Sequence, residues 1–245
     1  MGTDYHPAEL MIVEMARSLR PGERVFHGVA SPLPMIAIQL ALRIHAPDLI
    51  YLNIPGGINT RPHPLPISTA HPSLSSGTPS IFPLIEVFDL AARGGLDVVF
   101  LSGAQVDMMG NVNLSVIGEF HRPRVRLPGG AGSAFLISTT KRAILWKVDH
   151  SPRTLPKRCD FFTAANWKTR KVEKLITSLA TFRMGEEGFE LESLHPHTTL
   201  REVKERTGFP FPTPDRPPYT LPPSEEELAL IREIDPEGRR FLEFK

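Results

Sequence analysis

Proline is the residue that most restricts this chain. Each one fixes φ and removes a backbone donor, so a proline-dense segment continues neither a helix nor a central strand. There are 25 in 245 residues, about twice the usual share of roughly 5%. Seven fall between Asn53 and Pro83 and seven between Phe209 and Pro223. A helical bundle or coiled coil is excluded, and the regular elements must fit between these two blocks.

The elements alternate. Pro7 suits the first turn of a helix over Ala8–Leu19, which Pro21-Gly22 stops. Arg24–Gly28 reads as a strand, Leu33–His45 as a helix and Leu49–Leu52 as a compact apolar strand. This order predicts an α/β fold, an open and mainly parallel sheet with helices on both faces. The pattern then fails from Asn53 to Pro83. A long loop in a compact domain is either functional or disordered, and this one follows a strand end, where α/β sheets place ligands. It is read as a functional loop.

Order resumes with a helix over Pro83–Ala92, a strand over Leu96–Leu101 and an extended piece over Asn111–Ile117. A glycine-led helix runs to about Thr140. Strands follow at Ala143–Val148, Lys174–Phe182 and Phe189–Leu194. Thr199 and Ser224 each open a capping-box sequence, starting helices that end near Gly208 and Ile234. Phe209–Pro223 between them reads as an extended arm on a surface. The expected organisation is one α/β domain over residues 1–208, with the arm and terminal helix of 209–245 packed on it.

Charge and cysteine narrow the class. Lys plus Arg is 28 and Asp plus Glu 27, so no overall charge draws the chain to nucleic acid or an anionic membrane. The single cysteine, Cys159, rules out an internal disulfide framework and fits a reducing compartment. The most apolar stretch, Met35–Ile44, is broken by Gln39 and Arg43, far short of the ~20 residues of a membrane span. A soluble, cytoplasmic protein is expected.

Two segments could carry chemistry. Gly103-Ala104-Gln105-Val106-Asp107 follows a strand and continues to Gly110-Asn111-Val112-Asn113. Clustered Gln, Asp and Asn either bond their own loop or face a ligand. Gly129-Gly130-Ala131-Gly132-Ser133 precedes a helix, where free N–H groups attract phosphate or an oxyanion. It lacks the lysine of a P-loop and the spacing of a dinucleotide fingerprint.

The run G-A-Q-V-D-M-M-G-N-V-N, then I-G-E-F-H-R-P-R-V-R-L-P-G-G-A-G, resembles the beta (B) subunit of family I coenzyme A transferases, most closely the glutaconate CoA-transferase type. L-I-T-S-L-A-T-F-R-M and L-E-S-L-H-P-H-T-T-L-R-E-V-K-E-R-T-G-F are similar to that family's carboxy-terminal signature, so the resemblance covers Ala8 to Phe211. It implies pairing with a separate alpha subunit as heterodimer or heterotetramer, a coenzyme A thioester as substrate, no tightly bound cofactor and no metal. It also implies a beta-subunit glutamate that attacks an acyl-CoA. An acyl-glutamyl anhydride and then a glutamyl-CoA thioester would form, with glycine N–H groups stabilising the oxyanions.

Two departures stand out. Aligning the glycines of Leu52-Asn53-Ile54-Pro55-Gly56-Gly57 puts Ile54 at the nucleophile position, and no Asp or Glu occurs between Asp48 and Glu86. Where the family often reads G-G-A-N-D, this chain reads Ala131-Gly132-Ser133-Ala134-Phe135, and the Asn-Asp pair is lost. The implied function is therefore CoA transfer by family, with the usual nucleophile missing. One alternative is a CoA-thioester hydrolase resembling ring-cleaving relatives that draw acid–base groups from the alpha subunit. Another is a non-catalytic CoA-binding or scaffolding subunit. This chain alone is expected to be inactive. Expected catalytic residues are Asn53, placed to hold a thioester carbonyl, and Glu119, in I-G-E-F. Gly129, Gly130, Gly132, Ser133, Gly103 and Gln105 are expected to contact coenzyme A. Arg122, Arg124 and Arg126 alternate along one strand face and could reach its phosphates. His63, His71 and His195-Pro196-His197 are weaker candidates, and Cys159 reads as an apolar filler.

Overall fold

The computed structural model describes residues 4–29 and 31–244. In chain order the elements are α1 (Pro7–Arg17), β1 (Arg24–His27), α2 (Pro32–Ile44), β2 (Ile50–Tyr51), α3 (Leu84–Ala92), β3 (Val98–Leu101), β4 (Gln105–Val106), β5 (Val112–Asn113), β6 (Val116–Gly118) and β7 (Pro123–Arg126). Then come α4 (Ser133–Thr139), β8 (Arg142–Lys147), α5 (Asn166–Thr169), β9 (Val172–Thr177), β10 (Ala180–Met184), β11 (Phe189–Leu194), α6 (Leu200–Arg206) and α7 (Glu225–Ile234). They fold as two compact units. The first runs to Phe100 and includes Thr139–Lys141 and the chain from Pro222 on; the second holds Leu101–Ser138 and Arg142–Leu221.

In the first unit, β1 pairs in parallel with β2 and with β3, registering Val25 with Tyr51 and His27 with Phe100. Every residue of β3 is buried, as a parallel strand covered on both faces requires. His6 caps α1: its Nδ1 accepts the Ala8 N–H at 3.1 Å, and its own N–H donates to Glu9 at 2.9 Å. α1, α2 and α7 pack together, and α2 is buried along its length from Pro32 to Leu42. Each fully buried Leu or Ile there contributes about 1.5–3 kcal/mol of transfer free energy. At the end of α1, Arg17 donates to both carboxylate oxygens of Glu227 in α7, at 3.0 and 2.7 Å.

In the second unit, β8 and β9 are parallel, and β9, β10 and β11 form an antiparallel meander. Of these five pairings across the two units three are parallel, in keeping with a mainly parallel α/β sheet flanked by helices. The strand expected over Lys174–Phe182 is in fact two. Thr177 turns the chain, accepting the N–H groups of Leu179 (3.2 Å) and Ala180 (3.0 Å) on its hydroxyl and donating to the Ala180 carbonyl (2.8 Å). The extended piece at 111–117 likewise divides into β5, which pairs with β4, and β6, which pairs with β7. The arm from Phe209 lies along β11. Leu191 donates to the Pro212 carbonyl (3.0 Å), Leu194 to that of Pro218 (2.9 Å), and Thr220 donates back to Leu194 (2.7 Å). Phe209 and Phe211 anchor it against Phe182, with ring centroids 6.3 and 5.2 Å away. The arm to Leu221 thus belongs to the second unit, and α7 to the first.

Candidate active site

The proline-rich loop of the first unit is knit by its own side chains. Asn53, 1% exposed, uses its whole carboxamide. Its carbonyl accepts the Gly57 N–H at 2.8 Å, and its amide donates to Thr60 Oγ1 and to the Leu74 carbonyl, both at 3.1 Å. Gly56 donates to the Asn53 carbonyl at 3.1 Å, so Ile54 and Pro55 form the centre of a tight turn, half-buried. Asn59 brackets the base of the loop, accepting the Tyr51 N–H on Oδ1 (2.6 Å) and donating its own N–H to the Tyr51 carbonyl (2.9 Å). Gly57 is obligatory: a Cβ there would lie 1.9 Å from the Leu74 oxygen. The structure therefore places Asn53 as the residue that sets the turn presenting Ile54.

Two residues behind this turn escaped the sequence reading. His27 ends β1 and Tyr51 ends β2, and both are fully buried. His27 Nε2 and the Tyr51 hydroxyl are 2.9 Å apart, with the rings stacked at 5.6 Å. Burial pulls the His27 pKa down to about 4, so the imidazole is neutral, and burial pushes the Tyr51 phenol up. The only sequence signal is a polar ring closing an otherwise apolar strand, at the edge where ligands sit.

His71 caps the single turn Pro72–Ser75, its ring accepting the Ser73 N–H at 3.2 Å. His63 lines a cavity of about 300 Å3 together with Gln39, Arg43, Arg61 and Glu233.

In the second unit the polar motif after β3 turns inward. Asp107 Oδ1 accepts the N–H groups of Met109 (3.0 Å) and Asn111 (3.1 Å), and the Asn111 amide reaches both carboxylate oxygens at 3.1 Å. Gln105 Oε1 accepts from Asn113 (2.7 Å) and from the Asp160 N–H (3.0 Å). Gly103 lies so close to Val112 that a Cβ would fall 2.4 Å from it, and its carbonyl accepts from Lys147 Nζ at 2.7 Å. These groups hold the hairpin in shape. Cys159 is buried beside them and donates to the Asn111 carbonyl at 3.4 Å; burial, then the Asp107 charge, raise its thiol pKa.

The glycine turn behaves differently. Gly129, at φ 94°, donates to the Leu114 carbonyl at 2.8 Å. Ser133 closes the turn with two bonds to the Gly130 carbonyl, 2.8 Å from its N–H and 2.7 Å from its hydroxyl. Among the described residues no acceptor meets the N–H groups of Gly130, Ala131 or Gly132. Ala131 takes the left-handed conformation, φ 44°. Successive N–H groups in such a turn make an anion-binding concavity.

Glu119 is exposed between β6 and β7, and its carbonyl accepts from Arg122 at 3.2 Å. Arg122, Arg124 and Arg126 are exposed on the same hairpin. His195 is fully buried, and its pKa is lowered to about 3 by burial and by His197. Both rings bond the Ser178 carbonyl, His195 at 3.3 Å and His197 at 2.9 Å. Among the described residues no group of three or more His, Cys, Asp or Glu side chains could hold a metal, and no helix is long and apolar enough to cross a membrane.

Comparison with known proteins agrees with this architecture. Over 94% of both chains it is 32% identical to the B subunit of 3-oxoadipate CoA-transferase from Pseudomonas knackmussii. It is 25% identical to the B subunit of glutaconate CoA-transferase from Acidaminococcus fermentans, covering 98% of this chain and 96% of that one. To the IpdB subunit of the cholesterol ring-cleaving hydrolase from Rhodococcus jostii it is 26% identical, covering 98% and 97%. Among solved structures, the decarboxylase AibA/AibB superposes with a TM-score of 0.89 at 34% identity, over 97% of this chain and 98% of that one. The Acidaminococcus glutaconate enzyme superposes at 0.86 and 25% identity, over 96% of each. Residues 9–206 match the coenzyme A transferase family, and the chain belongs to it.

Proposed function

We propose that this chain is the beta half of a two-subunit enzyme that works on an acyl-CoA thioester without a glutamyl anhydride. The observation that carries the reading is the turn at Asn53–Gly56. It presents Ile54 where the family resemblance expects a glutamate, and no carboxylate lies between Asp48 and Glu86. An alkyl side chain neither attacks a thioester nor leaves as a carboxylate.

What the chain does supply are the open N–H groups of Gly130–Gly132. Donors fixed at the place where negative charge develops are among the strongest catalytic devices. Negative charge develops on a thioester oxygen when a carbon–carbon bond in the acyl group breaks and its electron pair delocalises into the thioester. The reaction class favoured is therefore carbon–carbon cleavage of a CoA-linked substrate, by decarboxylation or hydrolytic ring opening, with the thioester retained. The relatives named as a decarboxylase and a ring-cleaving hydrolase support it. Acid–base groups then come from an alpha-type partner, and this chain alone turns nothing over. Asn53 and Gly57 hold the turn. Gly129–Ser133 shape the donor cradle, and Gly103 and Gln105 hold the hairpin that supports it. Glu119 is a candidate acid or base in the assembled enzyme.

CoA transfer is the second reading, favoured by the 3-oxoadipate relative. The test is the co-expressed two-chain complex with carboxylated enoyl-CoA and 3-oxoacyl-CoA substrates, with and without an acceptor acid. Carbon dioxide or ring-opened product independent of acceptor supports cleavage. A new acyl-CoA formed only with acceptor supports transfer and overturns the leading reading.

A further inference from the structure

The cavity beside the proline-rich loop is a second place where polar groups are left open. It holds about 300 Å3, the lower end of small-molecule sites. Every residue lining it belongs to the first unit. Its walls are the second half of α2, the end of α7 and loop residues between 61 and 65. None of the residues assigned above to the reaction lines it.

Gln39 marks this cavity as a binding site. It is the one polar residue in the stretch Pro32–Leu42 of α2, and it is 3% exposed. Its Nε2 donates to the Thr60 carbonyl at 2.8 Å. A carbonyl accepts only from the amide nitrogen, so this bond fixes which end of the carboxamide faces away. Oε1 meets no donor among the described residues and is not sealed from solvent. Because the residue lines the cavity, this oxygen opens into it.

The rest of the lining is cationic. Arg43 and Arg61 share the cavity with one carboxylate, Glu233. Glu233 accepts from Arg43 at 2.7 Å, which leaves the remainder of that guanidinium fork open. Arg61 and His63 make no hydrogen bond or ion pair among the described residues. An unpaired arginine on a surface is ordinary; here the charges meet a buried acceptor in one cavity. Leu65 and Ile234, both buried, add apolar wall.

These groups specify an occupant. Guanidinium forks take a carboxylate by paired hydrogen bonds. Gln39 Oε1 needs a donor, and an ammonium is repelled by two arginines, so the matching donor is a hydroxyl. We propose that this cavity binds a small hydroxycarboxylic acid as an effector, its carboxylate on Arg61 and Arg43 and its hydroxyl on Gln39. Thr60 gives the site its consequence. Its carbonyl holds Gln39, and its hydroxyl accepts from Asn53 at 3.1 Å. An occupant joining Arg61 to Gln39 therefore braces the turn that presents Ile54.

The experiment is a ligand-observed NMR titration of the assembled two-chain complex with 3-hydroxybutyrate. Saturable binding is expected. Butyrate, which lacks the hydroxyl, should bind about fivefold more weakly, and the methyl ester of 3-hydroxybutyrate, which lacks the charge, about tenfold more weakly. Arg61→Gln should weaken binding by about tenfold, and Arg61→Lys by less. Amide exchange over residues 56–61 should slow when the acid is bound, and the slowing should vanish in Arg61→Gln. Binding that does not saturate, or equal binding of butyrate, overturns the proposal. So does binding undiminished by Arg61→Gln, since the acid would then sit elsewhere. Loss of the alpha chain from the purified Arg61→Gln complex also overturns it, since the cavity would then be a docking seat. Saturable, Arg61-dependent binding with unchanged exchange at 56–61 would overturn the bracing of the turn.

Discussion

The loop at 53–60 and the turn at 129–133 look alike in sequence, both short, glycine-containing and following a strand. Their hydrogen bonding is opposite. In the first, Asn53 spends every polar atom of its side chain inside the loop, and the residue presented is Ile54. In the second, the closing bonds come from Ser133 and Gly129, and three consecutive N–H groups stay open. One region is closed by its own side chains, whereas the other leaves its donors without an acceptor.

Substitution at the closed loop should produce the largest effect. Gly57→Ala drives a Cβ into the Leu74 oxygen, and backbone must move to relieve it. A loss of about 3 kcal/mol is expected, at the upper end of overpacking costs, read by urea unfolding. A change within about 0.5 kcal/mol, the usual range of neutral surface substitutions, would show that the loop is looser than its bonds imply.

Acid should test the buried histidines next. The pKa of His27 is lowered to about 4 by burial; that of His150 is lowered to about 3, by burial and then Arg206. The unfolded chain binds these protons near pH 6.5 and the folded chain does not, so stability is intact above about pH 6.5 and falls as pH drops below it. Each histidine contributes a slope of about 1.4 kcal/mol per pH unit, until pH reaches its folded pKa. Urea midpoints between pH 7 and pH 5 should fall, and His150→Asn should flatten the slope by one histidine's share. A midpoint independent of pH would mean that these rings are hydrated.

Asn53→Ala should cost about 2 kcal/mol, because it strands the Gly57 N–H and the Leu74 carbonyl in a buried site. Ser133→Ala should cost about 1 kcal/mol, since the Ser133 N–H still holds the Gly130 carbonyl. If the two costs were equal, the contrast between a closed loop and an open turn would fail.

Much of this architecture is legible from local chemistry. Pro7, Pro21-Gly22 and the Thr199 and Ser224 caps announce elements that the structure places within one or two residues. The break between β9 and β10 was not legible, because Thr177 makes it with a hydroxyl and no glycine or proline marks it. At the site, the missing carboxylate could be read directly, but the fate of Asn53 could not. A strand-end asparagine looks the same whether its amide faces a ligand or a carbonyl 21 residues on. The His27–Tyr51 pair was hidden for a similar reason, since its partners meet only through parallel pairing of β1 and β2.

The most direct test of the central claim is to trap a covalent intermediate. The assembled complex is incubated with its acyl-CoA substrate, treated with borohydride, and this chain is weighed by mass spectrometry. The account predicts an unmodified mass under turnover. A chain carrying coenzyme A on a glutamate, or the reduced alcohol left by such a thioester, would contradict it.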